Sequence, residues 1–235
     1  MRARRMNVSE IHRTAALDNA ALCAAMWRAH GLGVERINDC VACSGRPPRF
    51  YPNVVTVDPA VDAHEQMRSI AERAERASGT FFVKDSYRAL SLDSFDFEPL
   101  FEARWIHRAA GSEAGATRLD WRPVTDAAEL GAWEAAWGGS ADEPALFLPT
   151  FLTQPGVTVL AGWANSRIAA GCIITTTGTV AGLSNVFGNA PEAISAAVMM
   201  FSGRAFVGYE SGEALVAALE AGFQTVGDLV VWKRP

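Results

Sequence analysis

The spacing of apolar and polar residues along this chain changes period many times, and each change marks an element. Residues 15–31 repeat apolar side chains at helical spacing, with Leu17, Ala21, Leu22, Ala25 and Met26 on one side and Gly31 and Gly33 as stop signals. They predict a helix. Residues 34–44 read as a strand, 46–52 as a proline-rich turn and 53–57 as a β-branched buried strand. Residues 62–76 set Met67, Ile70, Ala71 and Ala74 against many charges, which is the pattern of a half-exposed helix. Strands follow at 80–84 and 100–107, with a short helical or turn segment between them.

Beyond a stretch of Ala, Gly, Ser and Glu the pattern starts again with a strand at 119–124. Asp126-Ala127-Ala128-Glu129 fits a capping box that opens a helix to about Trp137. Leu130, Trp133 and Trp137 fall on one face of it as a core stripe. Residues 157–163, 168–177 and 179–187 predict an antiparallel meander joined by tight turns at Asn165-Ser166 and Gly178. A helix at 191–201, a strand at 205–209, a helix at 212–221 and a strand at 226–233 complete the series.

The two halves say nearly the same thing. Phe81-Phe82-Val83-Lys84-Asp85-Ser86 precedes Asp96-Phe97, and Phe206-Val207-Gly208-Tyr209-Glu210-Ser211 precedes Gly222-Phe223. In each, an apolar strand ends in an acid and a serine, and a (Gly/Asp)-Phe corner opens a further strand. Asn53 and Asn185 occupy matching places upstream. Two repeats this long are a tandem duplication of one α/β unit rather than a solenoid. The expected division is an N-terminal half at 1–110 with a structural role, a linker at 111–117 and a C-terminal domain at 118–235.

Composition narrows the function classes. With 235 residues, 49% of them hydrophobic and 20% charged, the chain buries an ordinary globular core. A net charge of −5 argues against a nucleic-acid or anionic-membrane surface, and the basic cluster Arg2, Arg4, Arg5 reads as a frayed terminus. No segment has the 18 or more apolar residues of a membrane helix and the start lacks a signal-peptide core, so a cytoplasmic protein is expected. Cys23, Cys40, Cys43 and Cys172 form no disulfide framework, and the Cys40-x-x-Cys43 pair lacks a second ligand pair for zinc. His12, His30, His64 and His107 share no ligand or triad spacing, so no metal is expected.

The order of elements resembles the GNAT superfamily, which has the acyl-CoA N-acyltransferase fold and moves an acyl group from coenzyme A to an amine. The likeness covers roughly residues 118–235 well and the first half more loosely. It is sharpest at Ser211 to Phe223, where Ala214, Gly222 and Phe223 stand on the family's N-x-x-A-x-x-x-Y-x-x-x-G-F signature and Gly227 continues it. The fold class implied is α/β (α+β), two GNAT-like mixed-sheet units in tandem, with mostly antiparallel strands and flanking helices. The function implied is acyl transfer from acetyl-CoA to an amine of a small molecule or protein. The alternative is a catalytically inactive GNAT-like module that binds a ligand or a protein, and a homodimer is left open.

The resemblance also places the site. Asn185, Val186, Phe187, Gly188, Asn189, Ala190 and Ser211 would contact coenzyme A, and Tyr209 and Glu210 would be the catalytic pair. Tyr209 replaces the family's usual tyrosine acid, whose position falls on Ala218. The pyrophosphate loop departs further, since Gly188-Asn189-Ala190-Pro191-Glu192-Ala193 has one glycine, no arginine and a glutamate that competes for the helix's positive end. Finally, a complete fold of this kind has two strands after the Gly-Phe corner, whereas one is visible here. Each half is therefore expected to donate its terminal strand to the other, or both to pair at the seam.

Overall fold

A computed structural model describes residues 6–59, 62–140 and 142–235. The basic cluster Arg2, Arg4, Arg5 lies outside these residues. Helix α1 (Val8–Ala29) starts seven residues before the apolar pattern does. Asn7 and Glu10 explain this, because the Asn7 side chain accepts from the Glu10 amide and the Glu10 carboxylate accepts from the Asn7 amide. A capping box therefore nucleates a first turn in which Ile11 alone packs against a core.

The single strand expected at 34–44 is instead a hairpin, β1 (Val34–Ile37) and β2 (Cys40–Cys43). Asn38 and Asp39 both have positive φ, 38° and 60°, which the two central residues of a type I′ turn require. The remaining elements of the first half are β3 (Val54–Thr56), α2 (Ala63–Arg76), β4 (Phe81–Asp85), a 3-10 turn at Leu92–Phe95 and β5 (Glu98–Arg108). The second half contains β6 (Asp120–Pro123), α3 (Ala127–Trp137), a 3-10 turn at Pro149–Phe151, β7 (Val157–Ala164), β8 (Arg167–Thr177), β9 (Val180–Phe187), α4 (Ala190–Met200), β10 (Ala205–Glu210), α5 (Gly212–Glu220) and β11 (Gln224–Arg234).

Among the described residues eleven strands form one sheet in the order β1-β2-β3-β4-β11-β5-β10-β9-β8-β7-β6. The terminal strands are exchanged, with β11 lying between β4 and β5 of the first half and β5 between β10 and β11 of the second. The register makes the exchange symmetric. Ala103 pairs with Leu229, Arg104 pairs with both Asp228 and Glu210, and Val230 pairs with both Glu102 and Asp85. The sequence spacing that separates Phe97 from Phe223 also separates Ala103 from Leu229 and Arg104 from Val230, so a pseudo-twofold axis runs through the Ala103–Leu229 pair. Only the parallel pairs β3–β4 and β9–β10, related by this axis, break the antiparallel order among the described strands.

Strand alternation sends neighbouring side chains into different layers. Val159, Ala161 and Ile173 pack with α1 and α3, whereas Leu160, Cys172 and Ile174 pack with α4 and α5. Cys40 and Cys43 likewise enter different cores, and all four cysteines are free and buried. The halves match at Asp85 and Glu210 but not at the asparagines. Val54 pairs with Val83 whereas Gly182 pairs with Val207, so the register sets Asn53 against Gly182 rather than Asn185. The segment between the halves, expected to be loose, is moored at both ends. Arg108 donates to the Glu113 and Ala221 carbonyls, and Glu192 accepts from the amides of Arg118 and Leu119.

Candidate functional site

The two parallel junctions end differently. In the first half the Asn53 side chain accepts from the Phe82 amide while the Asn53 amide donates to the Phe82 carbonyl, both at 2.8 Å, so a side-chain amide continues the ladder and closes the gap between β3 and β4. In the second half pairing of β9 with β10 stops at Gly182–Val207. A bulge follows, in which Ser184 and Phe187 face Ile173 and Gly171 across β8, and Asn185 takes a left-handed φ of 51°. The strands splay, and a cavity of about 260 Å³ opens there.

Leu183, Ser184, Asn185 and Val186 form the β9 wall of this cavity, and Tyr209 and Glu210 the β10 wall. Burial pushes the Glu210 carboxyl up to about 7, and no cation or donor among the described residues offsets it. Its counterpart Asp85 is spent on structure, since its carboxylate accepts from the amides of Tyr87 and Leu90 and holds the turn that leaves β4. Of two equivalent acids, one shapes a turn and the other faces open space.

The first half supplies the rest of the wall. Lys84, at the position in β4 that Tyr209 holds in β10, reaches over the two exchanged strands, and its Nζ donates to the Tyr209 hydroxyl at 3.1 Å and to Asn19 Oδ1 at 2.8 Å. It also stands 4.2 Å from the Tyr209 ring centroid, a cation–π geometry. The ring packs edge-on to Trp105 at 5.5 Å. A phenol that accepts from an ammonium keeps its own proton available to give. Tyr51 adds a buried hydroxyl that lies beside Asn185 at a geometry closing no hydrogen bond, and burial raises its pKa.

The other residues expected at the site lie elsewhere. Phe187 packs against Trp133 at 5.1 Å. Gly188, with φ of 73°, turns the chain into α4, whose cap is Asn189 and whose first residue is Ala190. Ser211 precedes α5 without a side-chain cap bond and lines a second cavity with Arg104 and Asp228, to which Glu210 also contributes. At the start of α4, Glu192 does more than answer the helix dipole. Its bonds to the Arg118 and Leu119 amides, 2.5 and 2.6 Å, hold its carboxyl below the usual range and tie down the inter-half segment. Lys84, Asn19 and Tyr51 were not singled out in the sequence. A lysine inside an otherwise apolar strand and an asparagine on an alanine-rich helix face were the available signals.

By sequence alone the chain matches no family model and no curated protein. Its backbone does have solved counterparts. A GCN5-related N-acetyltransferase from Kribbella flavida superimposes with a TM-score of 0.59 over 94% of this chain and 95% of its own, at 13% identity. A GCN5-related N-acetyltransferase from Sphaerobacter thermophilus gives a TM-score of 0.53 over 95% and 94%, at 12% identity. The fold is that of the GNAT superfamily, in a mixed α/β arrangement with one large, mostly antiparallel sheet. Among the described residues no helix is long and apolar enough to cross a membrane, and no cluster of three metal-ligating side chains occurs.

Proposed function

We propose that the protein transfers an acyl group from acetyl-CoA to an amine, with Glu210 as general base and Tyr209 as general acid. The observation that carries this reading is the splay of β9 and β10, which opens at an acid titrating near neutrality and a phenol whose proton is available. Glu210 takes the proton of the acceptor ammonium, the amine nitrogen bonds to the thioester carbonyl carbon, and the carbon–sulfur bond breaks. Tyr209 gives its proton to the departing thiolate and takes up the second proton that the nitrogen sheds as the amide forms. The unpaired backbone beyond Gly182 suits the amide-bearing arm of coenzyme A. The acceptor is a small-molecule amine, in keeping with a cavity of about 260 Å³. The work is cytoplasmic, where the acyl donor is made.

One observation favours the rival reading, a binding module without catalysis. Pro191 and the Glu192 carboxylate occupy the start of α4, where a pyrophosphate would need free amides. Calorimetric titration with acetyl-CoA, followed by thiol release in the presence of a panel of amines, separates the two. Acyl transfer predicts saturable binding, turnover rising as Glu210 ionises through about pH 7, and a loss of about 10²–10⁴-fold in Glu210→Gln. No heat at millimolar acetyl-CoA would leave the binding module standing.

A further inference from the structure

The cavity contains a cation that holds the Tyr209 hydroxyl but whose own charge is unanswered. Lys84 is 4% exposed, and among the described residues its ammonium forms no ion pair, having Asn19 and Tyr209 as neutral partners. A buried ammonium without a counter-charge is costly, and an anion brought by a ligand removes that cost. A second, independent group points the same way. Tyr51 is 7% exposed and lines the same cavity, and among the described residues its hydroxyl closes no hydrogen bond.

The remaining wall is apolar. Phe50 lies at the mouth with 77% of its surface exposed, held out by a left-handed φ of 68° and meeting Trp137 edge-on at 5.9 Å, and Leu22 lies on the same cavity. A doubly charged phosphate would call for a second cation. The neighbouring Arg49 is already engaged by Glu134 and Glu143.

We propose that the acceptor is an amino acid with an apolar side chain, its carboxylate held by Lys84 and the Tyr51 hydroxyl, its amine turned to Glu210 and its side chain against Phe50 and Trp137. This assignment rests on the acyl-transfer reading for the role of the amine, while the carboxylate site stands on Lys84 and Tyr51. It makes the site a joint product of the two halves, since β4 and the turn before β3 recognise what β10 reacts with.

The test uses acids and their decarboxylated twins, L-phenylalanine with phenethylamine and L-leucine with 3-methylbutylamine, titrated calorimetrically into the full chain. The acid of each pair is expected to bind at least about tenfold more tightly, the scale of a charged hydrogen-bonded contact. Lys84→Met should bring the ratio near one and Lys84→Arg should recover part of it. If Lys84→Met does not unfold cooperatively, Tyr51→Phe serves instead and should lower the ratio severalfold. Equal binding of the twins, binding of neither, or a ratio that survives Lys84→Met overturns the proposal. Thiol release with acetyl-CoA on the same pairs tells the failures apart. Acetylation of the amines but not the acids overturns the acceptor assignment and keeps acyl transfer. Lys84-dependent binding of the acids without thiol release from any acceptor overturns acyl transfer and the acceptor role together.

Discussion

Asp18 is 3% exposed on the face of α1 that meets β9, and a Cβ on Gly182 would lie 1.7 Å from its Oδ2. Gly182 is thus the notch that admits this carboxyl, at the last paired position before the cavity opens. Burial pushes Asp18 up to about 7, and the nearby Thr177 offsets only part of that effect. A carboxyl raised from its ordinary 3.8 stabilises the folded chain fully below that value, and the stabilisation is lost as pH rises through about 7. The loss on full ionisation is on the order of 4 kcal/mol. Asp18→Asn is therefore expected to raise Tm at pH 8, by about 2–4 °C for each kcal/mol recovered, and to leave Tm at pH 4 nearly unchanged. Thermal scans at both pH values check this; an equal shift at the two would refute the ionisation account. The sequence carried Tyr209 and Glu210 visibly, as polar residues ending a strand. Lys84 and Asn19 were illegible as site residues because Lys84 meets Tyr209 125 residues away and Asn19 meets Lys84 65 residues away, and no local pattern encodes a contact made over two intervening strands.

At the scale of elements, the site depends on how β9 ends. The bulge at Asn185 frees the strand from β10, and Gly188 then turns it into α4 with φ of 73°. A Cβ there would lie 2.3 Å from the Ala169 carbonyl oxygen, a backbone atom that cannot step aside. Gly188→Ala should cost about 1–3 kcal/mol for the conformation alone, with the collision added, and should weaken any ligand bound along Asn185 and Val186. Urea unfolding with an unchanged m-value would report the stability loss, and a loss below about 0.5 kcal/mol would mean that the turn relaxes freely. Elements were legible where the pattern and the turn chemistry agreed. Asn165 and Ser166, both at positive φ, close the β7–β8 hairpin as expected. Asn38-Asp39 was missed because the apolar residues Val41, Ala42 and Cys43 resume directly after it, and an exposed edge strand joined to a buried one then reads as one strand.

For the whole molecule the exchange of β5 and β11 decides what can be separated. An exchange of terminal strands was expected from the sequence, and the register shows β5 beside β11. The segment 118–235 expressed alone lacks β5, so β10 and β11 would face an empty slot lined by unpaired backbone. It should be insoluble or unfold without cooperativity, whereas co-expression with the first half should restore a soluble pair that unfolds in one transition. A soluble fragment with near full-length stability would show that β5 is dispensable to the second half. What the sequence could not show is that the same exchange brings Lys84 to Tyr209.

The exchange also imposes an order on synthesis. On a ribosome the first half is made complete from β1 to β5, yet the slot between β4 and β5 stays open until β11 emerges more than a hundred residues later. During that interval two central strand edges are exposed rather than two peripheral ones, the state in which nascent chains most readily pair with the wrong neighbour. Strand β11 is thus a keystone. A ribosome stalled before residue 224 leaves a hole in the middle of the sheet rather than a trimmed rim, and neither half can finish folding ahead of the other.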